Sequence, residues 1–290
     1  MAAQAKPVVG AAYRRVRDAL RAAGLASPET DARLLVADAT GLAPARLVLE
    51  EGRSLSDAEA ERLEAHLAAR LQRMPVGRII GRRAFWGLDF ELTPETLEPR
   101  SDTETLIEAA LDFIDQTGGR ERALRIVDLG TGTGAILVAL LSELPNAWGL
   151  ASDIQPGALH AARRNAARNG VANRAAFVCM SWMDAVAGEW DLIVSNPPYI
   201  PTAVIAELEP EVRAHDPLAA LDGGPDGLLP YREIAAVSAR LLRPVDAALM
   251  VEIGYDQAAD VMGICREAGF HQLDIRHDLA QRDRVVVARR

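Results

Sequence analysis

Two short stretches of this chain carry residue types suited to group transfer. The first is Asn196-Pro197-Pro198-Tyr199, directly after the expected strand 191–195. Two consecutive prolines fix the backbone and remove two N–H donors, which leaves carbonyl groups free to accept. The Asn196 side-chain oxygen and the Pro197 carbonyl can together grip an NH₂ group that has two hydrogens to give. The Tyr199 ring beside them can stack on a planar amide or a base. The nitrogen of such a group is a poor nucleophile, because its lone pair is delocalised. Two acceptors on its hydrogens raise the electron density on nitrogen and aim it, so in-line displacement proceeds by orientation and electrostatics. That chemistry needs neither a metal nor a covalent nucleophile.

The second stretch is Val127-Asp128-Leu129-Gly130-Thr131-Gly132-Thr133-Gly134-Ala135. Glycines at this spacing allow a tight turn and let backbone N–H groups approach a ligand closely. Asp153 follows 23 residues after Gly130, at the end of the next apolar run. A carboxylate there suits the hydroxyls of a ribose. Gly130-x-Gly132-x-x-Ala135 also fits the fingerprint of a dinucleotide site, so the turn alone leaves the cofactor open. Two features favour S-adenosylmethionine. Asp128 stands where a carboxylate would oppose a pyrophosphate but suit a cationic amino-acid group. The Asn196–Tyr199 stretch has no use in hydride transfer, whereas it can aim a nitrogen at a sulfonium methyl.

The elements that must position these stretches can be read from periodicity. Residues 1–75 predict a small helical unit. Val8 to Leu25 is apolar at helical spacing, Ser27-Pro28 suggests an N-cap followed by proline, and Ser56 to Glu59 matches a capping box ahead of Leu63, Leu67 and Leu71. This unit holds no chemical constellation, which makes partner docking its expected role. Residues 76–102 are rich in glycine, aromatic and β-branched residues and predict a β-hairpin connector. Residues 103–290 alternate strand and helix. The strands are expected at 124–129, 147–152, 175–180, 191–195, 247–253 and 284–288, with an antiparallel closing pair. Such alternation predicts an α/β fold with a mostly parallel sheet covered on both faces.

Composition narrows the function further. The chain has 290 residues and a net charge of −9. Residues 1–75 carry 11 basic and 10 acidic side chains, against 21 and 31 for residues 76–290. The larger segment has the wrong sign for a duplex nucleic-acid binder. The longest apolar run, Ala135 to Leu141, has seven residues, against the ~18–20 that a membrane span needs. The first ten residues lack an apolar signal core, and Cys179 and Cys265 have neither metal nor redox spacing. A cytoplasmic location is expected, with no metal site. His215-Asp216 reads as a loop hydrogen bond, Asp222 and Asp226 as turn residues, His66 as a surface residue, and Arg282 and Arg284 as solvated.

The two motifs together resemble the class I S-adenosylmethionine methyltransferases that act on planar nitrogen. The chain resembles more specifically the release-factor glutamine methyltransferases. Supporting segments are Pro75 to Gly81, Phe85-Trp86-Gly87, Glu98 to Glu104, Glu209 to Val212, Ala220 to Leu228, and Tyr231-Arg232. The resemblance implies a Rossmann-like domain with a seven-stranded sheet whose last strand is antiparallel, behind a helical bundle and a hairpin. It implies methylation of the side-chain amide nitrogen (N5) of the glutamine in the Gly-Gly-Gln loop of peptide-chain release factors, with S-adenosylhomocysteine as product. By that resemblance Gly130, Thr131, Gly132, Thr133 and Gly134 contact the cofactor, with Asp128 and Asn196 beside them. Asp153 takes the ribose and Trp182 lies against the adenine. Asn196, Pro197, Pro198 and Tyr199 hold the glutamine. Two positions depart from the family pattern, which usually has proline where Ser101 stands and glutamate where Asp216 stands. An adenine-N6 methyltransferase would use the same four-residue motif but needs a basic recognition surface. A nicotinamide dehydrogenase leaves Asn196–Tyr199 idle, and a non-catalytic binding module leaves both motifs idle.

Overall fold

The computed structural model describes residues 6–182 and 187–290. The first five residues, on which the reading of no secretory leader partly rests, lie outside the described residues. The chain forms two compact units, Met1–Gly81 and Arg82–Arg290.

The first unit is helical: α1 (Val9–Ala22), α2 (Pro28–Thr40), α3 (Asp57–Leu71) and α4 (Val76–Ile80). Val9, Ala12, Val16 and Leu20 recur at helical spacing and are buried together with Leu35, Val36 and Leu63. The capping box at Ser56 is complete: Glu59 N donates to Ser56 Oγ, and Ser56 N donates to Glu59 Oε2 at 2.7 Å. Ser27 makes no such bond, and only Pro28 at the first turn marks the start of α2. Leu71 is exposed rather than in line with Leu63 and Leu67. The last buried position of α3 is taken instead by Arg70, paired with Asp31 at 2.8 Å. His66 is half-buried against α2, with Nε2 3.6 Å from Asp38. Residues Val76–Ile80 form a helical turn and not the start of a hairpin.

The second unit opens with the hairpin β1 (Arg82–Phe85) and β2 (Leu88–Glu91). Phe85 and Phe90 are buried in the core of this unit, so the hairpin is built into it rather than serving as a free linker. The alternation that follows is α5 (Glu104–Gln116), β3 (Arg125–Leu129), α6 (Ala135–Glu143), β4 (Trp148–Asp153), α7 (Pro156–Arg168), β5 (Ala175–Cys179), β6 (Leu192–Ser195), α8 (Pro210–Arg213), α9 (Leu229–Leu241), β7 (Ala248–Glu252), α10 (Ala258–Glu267), β8 (Gln272–His277) and β9 (Asp283–Arg289). The hairpin also grips α7, where buried Asn165 bonds both the N–H and the carbonyl of Glu91.

Seven strands form one sheet in the order β5-β4-β3-β6-β7-β9-β8. The first five run parallel, and β9 pairs antiparallel with β7 and β8. Alternate residues face opposite sides. Ile126, Leu192, Val194 and Met250 meet the apolar residues of α5 and α6, while Val127, Leu129, Ile193 and Leu249 meet those of α9 and α10. A sheet covered on both faces explains the near-continuous apolar strands. The chain order reverses between β3 and β6, which opens a crevice at the carboxyl ends of the central strands. Among the described residues, no helix is long and apolar enough to cross a membrane.

Candidate active site

Strand register sets the site. Leu129 pairs with Ser152 on one side and Ser195 on the other, and Ser195 pairs with Val251. One residue further along each strand lie Asp153, Gly130, Asn196 and Glu252. These four form a row across the carboxyl edge of the sheet, although 122 positions separate Gly130 from Glu252.

Two cavities open along this edge. The first, of about 350 Å³, is walled by Gly130 to Thr133, Asp153, Trp182, Asn196, Pro198 and Glu233, among others. The second, of about 530 Å³, is walled by Asn196, Tyr199, Arg100, Asp102, Glu252 and Arg284, among others. Asn196 stands in the wall common to both. Asp128, Gly134 and Pro197 line neither. Asp128 is fully buried under the turn, where its Oδ2 accepts from the Thr131 hydroxyl at 2.6 Å and from Leu137 N at 3.3 Å. It thereby caps the amino end of α6. A Cβ at Gly134 would lie 3.0 Å from that of Ala162, so this glycine lets α6 and α7 approach.

The Asp153 carboxylate is held from both sides: Gly132 N donates to one oxygen and Gln155 N to the other, each at 2.9 Å. Burial raises the pKa of Asp153, and those backbone donors pull it back. Burial acts more strongly on Asp128, pushing it up to about 7 against the pull of Thr131 and Leu137. Its Oδ1 is buried with no donor among the described residues. The Trp182 ring lies over Gly130, and its indole N–H donates to Glu233. Burial, with the nearby charge of Glu252, raises the Tyr199 phenol to about 12 and keeps it protonated. Among the described residues, no group of His, Cys, Asp and Glu is placed to hold a metal.

The loop carrying Asn196 is braced by a second loop. Ile200 N donates to Leu221 O, Gly223 N donates to Ile200 O at 2.9 Å, and the Gln257 amide donates to Tyr199 O at 3.0 Å. Asp222 and Asp226 accept from backbone N–H groups two residues on, the turn role their spacing suggests.

The family model for the PrmC N-terminal domain matches residues 11–81, and that for the methyltransferase small domain matches residues 107–207. A release factor glutamine methyltransferase of Agrobacterium fabrum is 47% identical over 282 residues, which is 97% of this chain and 97% of that one. One from Rhodospirillum rubrum is 50% identical over 93% of this chain and 82% of that one. The chain belongs to the release factor glutamine methyltransferase family. A solved structure of the hMettl16 catalytic domain, with a MAT2A 3′UTR hairpin, shares the fold at a TM-score of 0.57 and 19% identity, covering 82% of this chain and 83% of that one.

In this release factor glutamine methyltransferase the two departures from the family pattern lie beside one contact. Arg100, next to Ser101, donates to buried Asp216 at 2.7 Å. His215-Asp216 is therefore half of an ion pair rather than a loop bond alone. Arg284 is likewise not solvated: it is buried and paired with Asp278 at 3.0 Å and Asp102 at 3.4 Å. Sequence reading assigned no role to Thr103, Glu252, Glu233 or Gln257. For Glu252 a signal existed, because it is an acidic residue ending an otherwise apolar strand, the same position that drew attention to Asp153.

Proposed function

We propose that the enzyme transfers a methyl group from S-adenosylmethionine to the side-chain amide nitrogen of the glutamine in the Gly-Gly-Gln loop of a release factor. The observation that carries this reading is Asn196 in the wall shared by two cavities, one beside the glycine turn and one beside Tyr199. The first cavity fits the cofactor by its donor set. Asp153 offers a carboxylate to the ribose, Gly130 to Thr133 offer close backbone, and Trp182 offers an apolar ring to the adenine; Asp128, buried beneath, holds the turn through Thr131 and Leu137. When bound, S-adenosylmethionine supplies an electrophilic methyl group on a positively charged sulfur.

The second cavity receives the glutamine. Asn196 Oδ1 accepts from its NH₂ in the wall common to both cavities, with the Pro197-Pro198 backbone shaping the loop and the Tyr199 ring against the planar amide. This fixes the nitrogen lone pair toward the neighbouring cavity. S-adenosylmethionine held by Gly130 to Thr133, Asp153 and Trp182 would supply its methyl group to the nitrogen that Asn196 orients, and one amide proton would leave to water. Tyr199, held protonated, takes no part as a base. The helical unit docks the release factor in the cytoplasm, and the acidic balance of residues 76–290 speaks against a nucleic-acid substrate.

The test is incubation with radiolabelled S-adenosylmethionine and, separately, a release factor, total RNA or DNA. Label is expected on the Gly-Gly-Gln glutamine. Label on nucleic acid alone would falsify the reading.

A further inference from the structure

We infer that Thr103 and Glu252 are positioning residues that fix which way the Asn196 amide faces. The inference rests on the reading above, in which Asn196 Oδ1 accepts from the substrate NH₂. An asparagine amide has a donor end and an acceptor end, and its surroundings decide between the two orientations. Asn196 Nδ2 donates to Thr103 Oγ1 at 3.2 Å. Glu252 stands beside Asn196 in the wall of the same cavity, each one step beyond the paired residues Ser195 and Val251; burial raises its carboxyl to about 7, and hydrogen bonding from Thr103 and Asn196 favours the ionised form. Thr103 and Glu252 are buried, which limits competition from water.

An ionised carboxylate only accepts. Above about pH 7, where it is ionised, Glu252 draws the Thr103 proton and the Asn196 NH₂ toward itself. Flipping the amide would set Oδ1 against Thr103 and Glu252 and leave the NH₂ pointing at a substrate NH₂, donor against donor. The flip is disfavoured on both sides, and Oδ1 stays aimed at the cavities. Burying a carboxylate costs stability, and Glu252 Oε2 has no partner among the described residues. A residue chosen for packing alone would not carry that cost. Register explains how the three meet: Asn196 and Glu252 are each one step beyond the pair Ser195 and Val251. Thr103 reaches them from the turn Ser101–Thr103 that starts α5.

The test uses the full chain and a release factor, with S-adenosylhomocysteine affinity as the control for fold and cofactor site. Thr103→Val and Glu252→Gln are each expected to lower kcat ~10-fold or more with KM little changed, since each removes a hydrogen bond that orients rather than binds. Asn196→Asp sets two carboxylates face to face, where both cannot ionise, and should lose most turnover. The double variant Asn196→Asp with Glu252→Gln restores a donor opposite an acceptor with the polarity exchanged, and leaves one Asp oxygen for the substrate. It should exceed Asn196→Asp alone by ~10-fold or more, the same hydrogen bond regained. A role in packing alone gives no such rescue. A further measurement needs no turnover: calorimetry of an unmethylated Gly-Gly-Gln peptide, with S-adenosylhomocysteine present, should give weaker binding to Asn196→Asp and recovery in the double variant. The inference fails if Thr103→Val and Glu252→Gln keep parental kcat while Asn196→Ala is inactive. It also fails if the double variant is no better than Asn196→Asp. Should Glu252→Gln not fold, Thr103→Val decides by the same criterion. Parental turnover in Asn196→Ala has a different meaning: it overturns the placement of the substrate amide, and the inference falls with it.

Discussion

Gly227 offers a test of how tightly the Asn196 loop must be held. It adopts φ +73°, and a Cβ built there would lie 2.4 Å from the Tyr199 carbonyl oxygen, 2.9 Å from Gln257 Nε2 and 3.2 Å from Pro201 Cδ. The closest of these is backbone, which cannot rotate out of the way. Real Cβ atoms essentially never come within 3.0 Å, so the two loops must separate by at least 0.6 Å. The same shift strains the Gln257 bond to Tyr199 O. Left-handed backbone at a non-glycine residue costs ~1–2 kcal/mol, and overpacking a tight site adds ~1–3 kcal/mol. Gly227→Ala should therefore be destabilised by a few kcal/mol. The functional effect is larger in proportion, because a ~1 Å misplacement of a positioned group can cost ~10²-fold in rate. Gly170→Ala is the control: its φ is +75° with nothing within 4 Å, so it carries the backbone strain without the clash. The assay is methyl transfer to a release factor, with thermal melts and S-adenosylhomocysteine calorimetry alongside. Expected are a large kcat loss in Gly227→Ala with cofactor affinity kept within severalfold, and near-parental kcat in Gly170→Ala. Equal turnover in the two variants would refute the bracing argument.

Other outcomes follow from the same geometry. Asp153→Ala should weaken S-adenosylhomocysteine binding ~10–100-fold, the value of charge-assisted hydrogen bonds to ribose; calorimetry that returns an unchanged Kd removes Asp153 from the site. Asp128 is raised by burial from 3.8 to about 7, so between those values the folded chain keeps a proton that the unfolded chain has lost. Stability from this group is therefore full below the unfolded pKa, lost as pH rises through about 7, and flat above. Asp128→Asn cannot titrate, so its stability relative to the parent should climb across that window, on the order of 4 kcal/mol in all; a pH-independent difference in melts without cofactor contradicts it. Deleting residues 1–81 should leave cofactor affinity nearly unchanged and cut turnover on an intact release factor, and equal turnover by a folded truncation sinks the docking role.

The glycine turn, Asp153 and Asn196–Tyr199 were legible in the sequence because each is local. A turn needs glycine within a few residues, a strand shows as an apolar run, and the residue just after it stands at the carboxyl edge of the sheet. The helices and the α/β class follow from periodicity for the same reason. Errors fell where a local signal competed with packing. Leu71 matched a helical stripe whose last buried place went to the Arg70–Asp31 pair. Residues 76–80 had strand-like composition yet formed a helical turn. Arg284 looked like a terminal surface charge until the fold buried it between Asp102 and Asp278. Tertiary structure alone brought Thr103, Asn196 and Glu252 together from three distant segments. No pattern within a segment encodes that meeting, because it depends on parallel register between strands joined through intervening helices, and register is set by how the whole apolar sheet packs.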